Sequence, residues 1–330
     1  MQELRNRACR VAFGLFGIIA CASSARAQAY DSSRVSPDSV APAESARTLV
    51  VAEPVGARAQ ACGRNDSDVA LRRTAVGATF VGGNAALYSY FKKAWWSGER
   101  APHFFFRADW DENFRDQDKF GHMSGGYHLA RGGYALLRSA CMSRRNALIL
   151  GAAYASAFQL QIEIWDGLYK KYGFSYADLI ANTTGTALAV VHETYPRTRA
   201  IKPTISYWPS PAQRNANNIP GEIRPSLDYT GQTYWFSADV NALLPENAKS
   251  YWPSFLRVSA GHGITDWIDP RTGANIRARR KILVSLDFDA EKLPGQNPLW
   301  KTVKHQLGYI HFPGPTLQLT PKVIGIGFYR

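Results

Sequence analysis

Two rhythms of apolar and polar residues divide the chain. In the N-terminal half, four stretches read as helices. The first runs from about Asp68 to Phe91, with Asp66, Ser67 and Asp68 as caps and Lys92-Lys93 closing it ahead of Trp95-Trp96. The second begins near Asp118 and carries Gly121, Gly125, Gly126, Gly132 and Gly133, a density of small residues that weakens a helix unless another helix packs closely against it. The third, about Asn146 to Tyr169, opens on Leu148-Ile149-Leu150 and turns polar at Gln159, Gln161 and Glu163. The fourth runs from Ser175 to about His192. From about Ile201 the period becomes two. Tyr234, Phe236, Ala238 and Val240 alternate with Trp235, Ser237 and Asp239, while Ile282, Val284, Leu286 and Phe288 alternate with Leu283, Ser285, Asp287 and Asp289. Leu256 to Gly261 and Val323 to Tyr329 are further strands, too few for an independent outer-membrane barrel. The pattern predicts an α+β fold: an N-terminal bundle of about four Gly/Ala-rich helices over residues 67–200, then a small antiparallel β region over residues 201–330.

What precedes the helices reads as an export signal. Arg5, Arg7 and Arg10 lead into an apolar run from Val11 to Ala20, shorter than the roughly 20 residues that span a bilayer. Ala25-Arg26-Ala27 fits a signal-peptidase site and ends the segment 1–27, whereas Ile18-Ile19-Ala20-Cys21 offers a competing lipobox in which Cys21 is acylated. Residues 28–66, rich in Ala, Ser, Pro and charge, read as a disordered tether. Composition fits a folded remainder, with 45% apolar and 12% aromatic residues. The net charge is +13, of which the signal holds only part. A basic exported protein meets anionic lipid before nucleic acid, so a membrane surface or envelope lipid is the expected partner and nucleic acid is not. The expected location is the periplasm or the membrane-associated envelope, with the outer membrane one option. Outside the signal region the cysteines are Cys62 and Cys141, a candidate disulfide in an oxidising compartment. Without a C-x-x-C pair or Cys/His cluster, a thiolate zinc site is not expected.

The candidate chemistry sits on the helices. Asp118 and His122, Glu163 and Asp166, and Asp178 and Asn182 each fall three or four residues apart, hence on one helical face. With Lys119 they form a candidate polar site in which Asp118, His122, Glu163 and Asp166 are candidate ligands of a divalent metal. A His beside carboxylates also suits acid/base work near neutral pH. The competing reading is a packed polar network without a ligand: Ser175 to Asp178 fits a capping box, and Asn182 bridges helices. Trp208, Trp235, Trp252, Trp267 and Trp300 serve either a ligand surface or ordinary packing.

Four motifs in order, Asp118-Lys119-Phe120-Gly121-His122, Glu163-Ile164-Trp165-Asp166-Gly167, Gly173-Phe174-Ser175-Tyr176-Ala177-Asp178 and Ala181-Asn182-Thr183-Thr184-Gly185, resemble the YfiM-like predicted periplasmic lipoproteins, a family of unknown function. With Asp228 to Trp235 and Arg280-Lys281, the resemblance runs from about Val69 to the C-terminus. A fainter likeness is to the VanZ-like membrane proteins. The resemblance implies an envelope address and lipidation, and it carries no catalytic role to any residue. The expected function is a membrane-associated binding or structural protein. The alternatives are a metal-dependent or acid/base enzyme acting on an envelope lipid or glycan, and an integral membrane protein.

Overall fold

A computed structural model describes residues 66–214 and 225–329, all within one compact unit, Asn65–Arg330. The expected signal and tether, with Cys21 and Cys62, lie outside the described residues, apart from Asp66. In chain order the elements are α1 (Asp66–Ala94), β1 (Phe106–Arg107), α2 (Gln117–Ser139), α3 (Arg144–Asp166), β2 (Phe174–Ser175), α4 (Tyr176–Thr194) and β3 (Ile201–Tyr207). They continue with α5 (Pro211–Arg214), β4 (Gln232–Ala238), α6 (Val240–Leu243), β5 (Leu256–Ile264), β6 (Arg280–Phe288), α7 (Pro298–Leu307), β7 (Gly314–Gln318) and β8 (Ile324–Tyr329).

This is a mixed α/β fold, with helices interleaved among eight strands in sheets of two and six. It overturns the expected α+β arrangement of a helical bundle followed by a small β region. One reason is that β1 and β2, only two residues each, lie inside the helical half and pair in parallel, Phe106 with Phe174 and Arg107 with Ser175. No periodicity reveals a two-residue strand. The other is that the C-terminal half holds a six-stranded meander, β3-β4-β5-β6-β7-β8, interrupted by α5, α6 and α7. Strand β3 contains Lys202 and Pro203, and β7 contains Gly314 and Pro315, residues that interrupt the alternation by which a strand is read.

Helices α2, α3 and α4 pack against one another, with the small residues at the contacts. A Cβ at Gly185 would collide with the Met123 carbonyl, and one at Gly151 would lie 2.6 Å from the Tyr134 nitrogen. Gly132, by contrast, faces open space. Ser143 caps α3 and Ser175 caps α4, each accepting from a backbone N–H three residues on. Helix α1 lies against this layer through an aromatic cluster in which Phe91 stacks on Trp95, and Trp96 on Trp165, 5.6 Å between centroids. Among the described residues, α3 alone is long and apolar enough to cross a membrane, but its Gln159 and Glu163 are buried within the protein. Cys141, after α2, is disulfide-bonded, and its partner lies outside the described residues.

Helix α2 also joins the layer to the six-stranded sheet. Gln117 donates to the Gln232 carbonyl at 2.9 Å and meets His262 Nδ1 at 2.8 Å, Phe120 stacks on His262, and Asp116 pairs with Arg280 at 2.7 Å. Within the sheet, the buried face carries a polar row beside the buried Trp235 and Leu283. Lys202, Ser237, Ser259, Ser285 and Thr316 sit side by side across five strands and are all buried. Arg257 and Asp287 form a fully buried ion pair at 2.5 Å, and Trp235 stacks on His311 at 3.8 Å.

Candidate functional site

The N-terminal turns of α2 and α4, the last turns of α3 and the loop after β1 converge on one buried polar centre. Lys119 is its cationic hub. Its Nζ lies 2.8 Å from Asp109, 2.8 Å from Asp118 and 2.9 Å from Asp178. Asp109 arrives there because the β1–β2 pairing sets its strand beside Ser175, whose hydroxyl donates to Asp109 at 2.5 Å while accepting from the Asp178 N–H at 3.0 Å.

One turn along α2, His122 begins a second group. Its Nδ1 lies 3.0 Å from Asn182 Oδ1 and 3.4 Å from Glu163 Oε1, and its Nε2 lies 3.8 Å from Asp178 Oδ1. Asn182 donates to Glu163 at 3.2 Å, and Gln159 donates to Asn182 and to the His122 carbonyl. Glu163 is fully buried, whereas the His122 side chain keeps 20% exposure, which makes it the most open member of this group. Asp166 is held apart, accepting from the Trp96 indole at 2.5 Å.

The charges are unbalanced. Five carboxyls, Asp109, Asp118, Glu163, Asp166 and Asp178, face Lys119 and His122. Burial pushes Asp118 up to about 6 against the pull of Lys119, with Asp178 adding to the rise. It likewise pushes Glu163 up to about 8 against the pull of His122, and Asp166 up to about 7 against the Trp96 hydrogen bond. For His122, burial acts to lower the pKa, but Asp178, Glu163 and Asp118 together outweigh it and raise it to about 9. Lys119 is raised for the same reason, its carboxylate partners overcoming desolvation. Asp109 is lowered, because the Lys119 and Ser175 hydrogen bonds and the Lys119 charge outweigh its burial.

Two groups have the spacing to hold a metal ion: His122, Glu163 and Asp178, and Asp109, Asp118 and Asp178, with donor atoms within 4.8 Å of one another in each. In the second, the Lys119 ammonium already contacts all three carboxylates. In the first, Glu163 Oε2 is buried without a well-formed hydrogen bond, as is the neighbouring Gln159 Oε1, while Asp178 Oδ1 is shared with the Lys119 ammonium at 2.9 Å.

All seven residues expected at the site, Asp118, Lys119, His122, Glu163, Asp166, Asp178 and Asn182, therefore lie in this region. Of the expected ligand set, His122 and Glu163 converge with Asp178, whereas Asp118 sits on Lys119 and Asp166 on Trp96. Sequence reasoning missed Asp109, Ser175 and Gln159 as members. The acid-rich loop from Asp109 to Asp118 was a signal, but it has no helical spacing that would single out Asp109.

The fold and site define a helix-borne, buried carboxylate–Lys–His centre braced by a β meander. Residues 111–194, which hold most of that centre, match the model of a family described as a predicted periplasmic lipoprotein (DUF2279). The match covers α2 to α4 and stops before the six-stranded sheet, short of the C-terminal reach that the motifs led one to expect. It supports an exported, envelope address. The VanZ-like resemblance finds no support, and no curated protein and no solved structure matches the chain.

Proposed function

We propose that this chain is an envelope-associated binding protein whose helical layer holds one divalent cation between His122, Glu163 and Asp178. The observation that carries this reading is the convergence of three donors within 4.8 Å, one of which, Glu163, has a buried oxygen that lacks a well-formed hydrogen bond. A divalent ion would satisfy that oxygen and offset the surplus of carboxyls around Lys119. One imidazole with carboxylate oxygens and no sulfur suits zinc or manganese.

Elemental analysis of the purified mature chain, after dialysis against zinc or manganese, is expected to return about one ion per chain. His122→Ala and Glu163→Gln should each abolish stoichiometric binding while Asp166→Asn retains it. A metal-free wild-type chain of unchanged thermal stability would overturn this reading in favour of the ligand-free polar network. An enzyme acting on an envelope lipid or glycan is the second reading. It is favoured by the partial exposure of His122, the group through which a substrate would reach the centre. It requires turnover that His122→Gln abolishes.

A further inference from the structure

The six-stranded sheet is dressed inside out. A water-facing antiparallel sheet turns its apolar set inward and its polar set to solvent. Here the row Lys202, Ser237, Ser259, Ser285 and Thr316 is buried, while the adjacent row on the opposite face, Phe236, Ala260, Val284 and Leu317, lies open to solvent. Val284 is 41% exposed, and Leu317 and Phe288 are each 44% exposed. A shallow groove passes between Val258, Val284, Leu286 and Leu317. The polar outward positions, Gln232, His262 and Arg280, are engaged with helix α2 or the segment leading into it. The uncovered remainder of the face carries no charge.

We infer that this face is a docking surface for the hydrocarbon of an anionic bilayer. A polar row turned in and an apolar row turned out is the pattern of sheets that meet lipid, and a run of adjacent exposed apolar side chains marks an interaction surface. The choice of occupant rests on charge. Arg279, ahead of β6, and Lys322, in the β7–β8 turn, flank the face, are exposed, and have no ion-pair partner among the described residues. Phe255 and Phe288 stack at the other end of the strands, where aromatic side chains suit the headgroup boundary. An anionic headgroup layer complements this border. A second copy would bring the same basic border, on a chain of net charge +13, against itself. The surface is independent of the cation site, and either can fail without the other.

The test is flotation of the full mature chain, carrying Cys21→Ser so that no acyl anchor forms, with vesicles of 70:30 phosphatidylethanolamine and phosphatidylglycerol. The parent should float with these vesicles and not with pure phosphatidylcholine. Val284→Asp and Leu317→Asp should each weaken binding by about tenfold, as expected for a charge on a lipid-facing strand position. Arg279→Glu with Lys322→Glu should remove the preference for the anionic lipid. If an aspartate variant fails to fold, Leu317→Cys carrying an environment-sensitive fluorophore gives the second reading, an emission blue shift when the same vesicles are added. Absence of flotation by the parent, or equal flotation by the aspartate variants, would overturn the inference. So would a lipid-free dimer dispersed by the same substitutions, which would make a second copy the occupant.

Discussion

At the scale of single residues, Lys119 decides how the centre stands without a ligand. Its side chain is almost fully buried and contacts three carboxylates, so its removal leaves those acidic groups in a low-dielectric setting without the ammonium that pairs with them. Lys119→Met is expected to cost about 3–5 kcal/mol in urea unfolding at pH 7. A loss below about 1 kcal/mol would mean that the carboxyls take up protons instead and that the ammonium is not the hub. Much of this group was legible in the sequence, because Asp118, His122, Glu163, Asp166, Asp178 and Asn182 fall at helical spacings on three helices. Asp109 was not. It reaches Lys119 through a parallel pairing of two residues with two, a contact set by tertiary structure and written in no local pattern.

At the scale of elements, the helices illustrate what small residues record. The glycines of α2 signalled close packing, but sequence alone does not tell which of them sit at the contact. Gly185→Ala on α4 places a methyl group against the Met123 carbonyl and should destabilise by about 1–3 kcal/mol, whereas Gly132→Ala fills open space and should stabilise by about 0.5–1 kcal/mol. Opposite shifts of the urea midpoint would bear out this helix register. Equal shifts of one sign would contradict it. The strands carry a different lesson. Their two-residue alternation is visible around Trp235 and Leu283, but a period of two is symmetric and does not say which set faces inward. The usual assignment buries Phe236 and Val284. The structure buries Ser237 and Ser285, where hydroxyl-to-hydroxyl bonds at 2.7 Å, Ser237 to Ser259 and Ser285 to Thr316, satisfy them.

At the scale of the whole molecule, buried titrating groups set a stability profile with two falling sides. Burial lowers His128, His192 and His262 to about 4 and His311 to about 3, with neighbouring guanidinium charges adding to the effect. An unfolded chain protonates these rings near pH 6.5, so between about 6.5 and 4 it holds more protons than the folded chain and stability falls as pH falls. Asp118, Asp166 and Glu163 act in the opposite direction. Their folded values, about 6, 7 and 8, lie above those of free carboxyls, so the stability they contribute when protonated is lost as pH rises through that range. His122, raised to about 9, loses its contribution over a window from about 6.5 to 9. The thermal midpoint in the presence of a chelator should therefore peak at roughly pH 6 and be lower at about 4.5 and 8.5. A midpoint that climbs steadily through pH 8 would show that the carboxyls ionise freely in the fold.

The doubly engaged hydroxyl of Ser175 has a consequence for how the chain tolerates change. It fixes the start of α4 and the approach of Asp109 through one oxygen, at the end of the short link that follows Asp166. An inserted or deleted residue in that link would slide Ser175 along β1 and carry Asp109 away from Lys119, even if every side chain kept its chemistry. Within the stretch from Gly167 to Phe174, the exposed Lys170 and Lys171 should thus accept substitution, Gly167 against Phe104 and Gly173 at φ 85° should not, and no change of length should be tolerated, so that spacing is under constraint as firmly as composition.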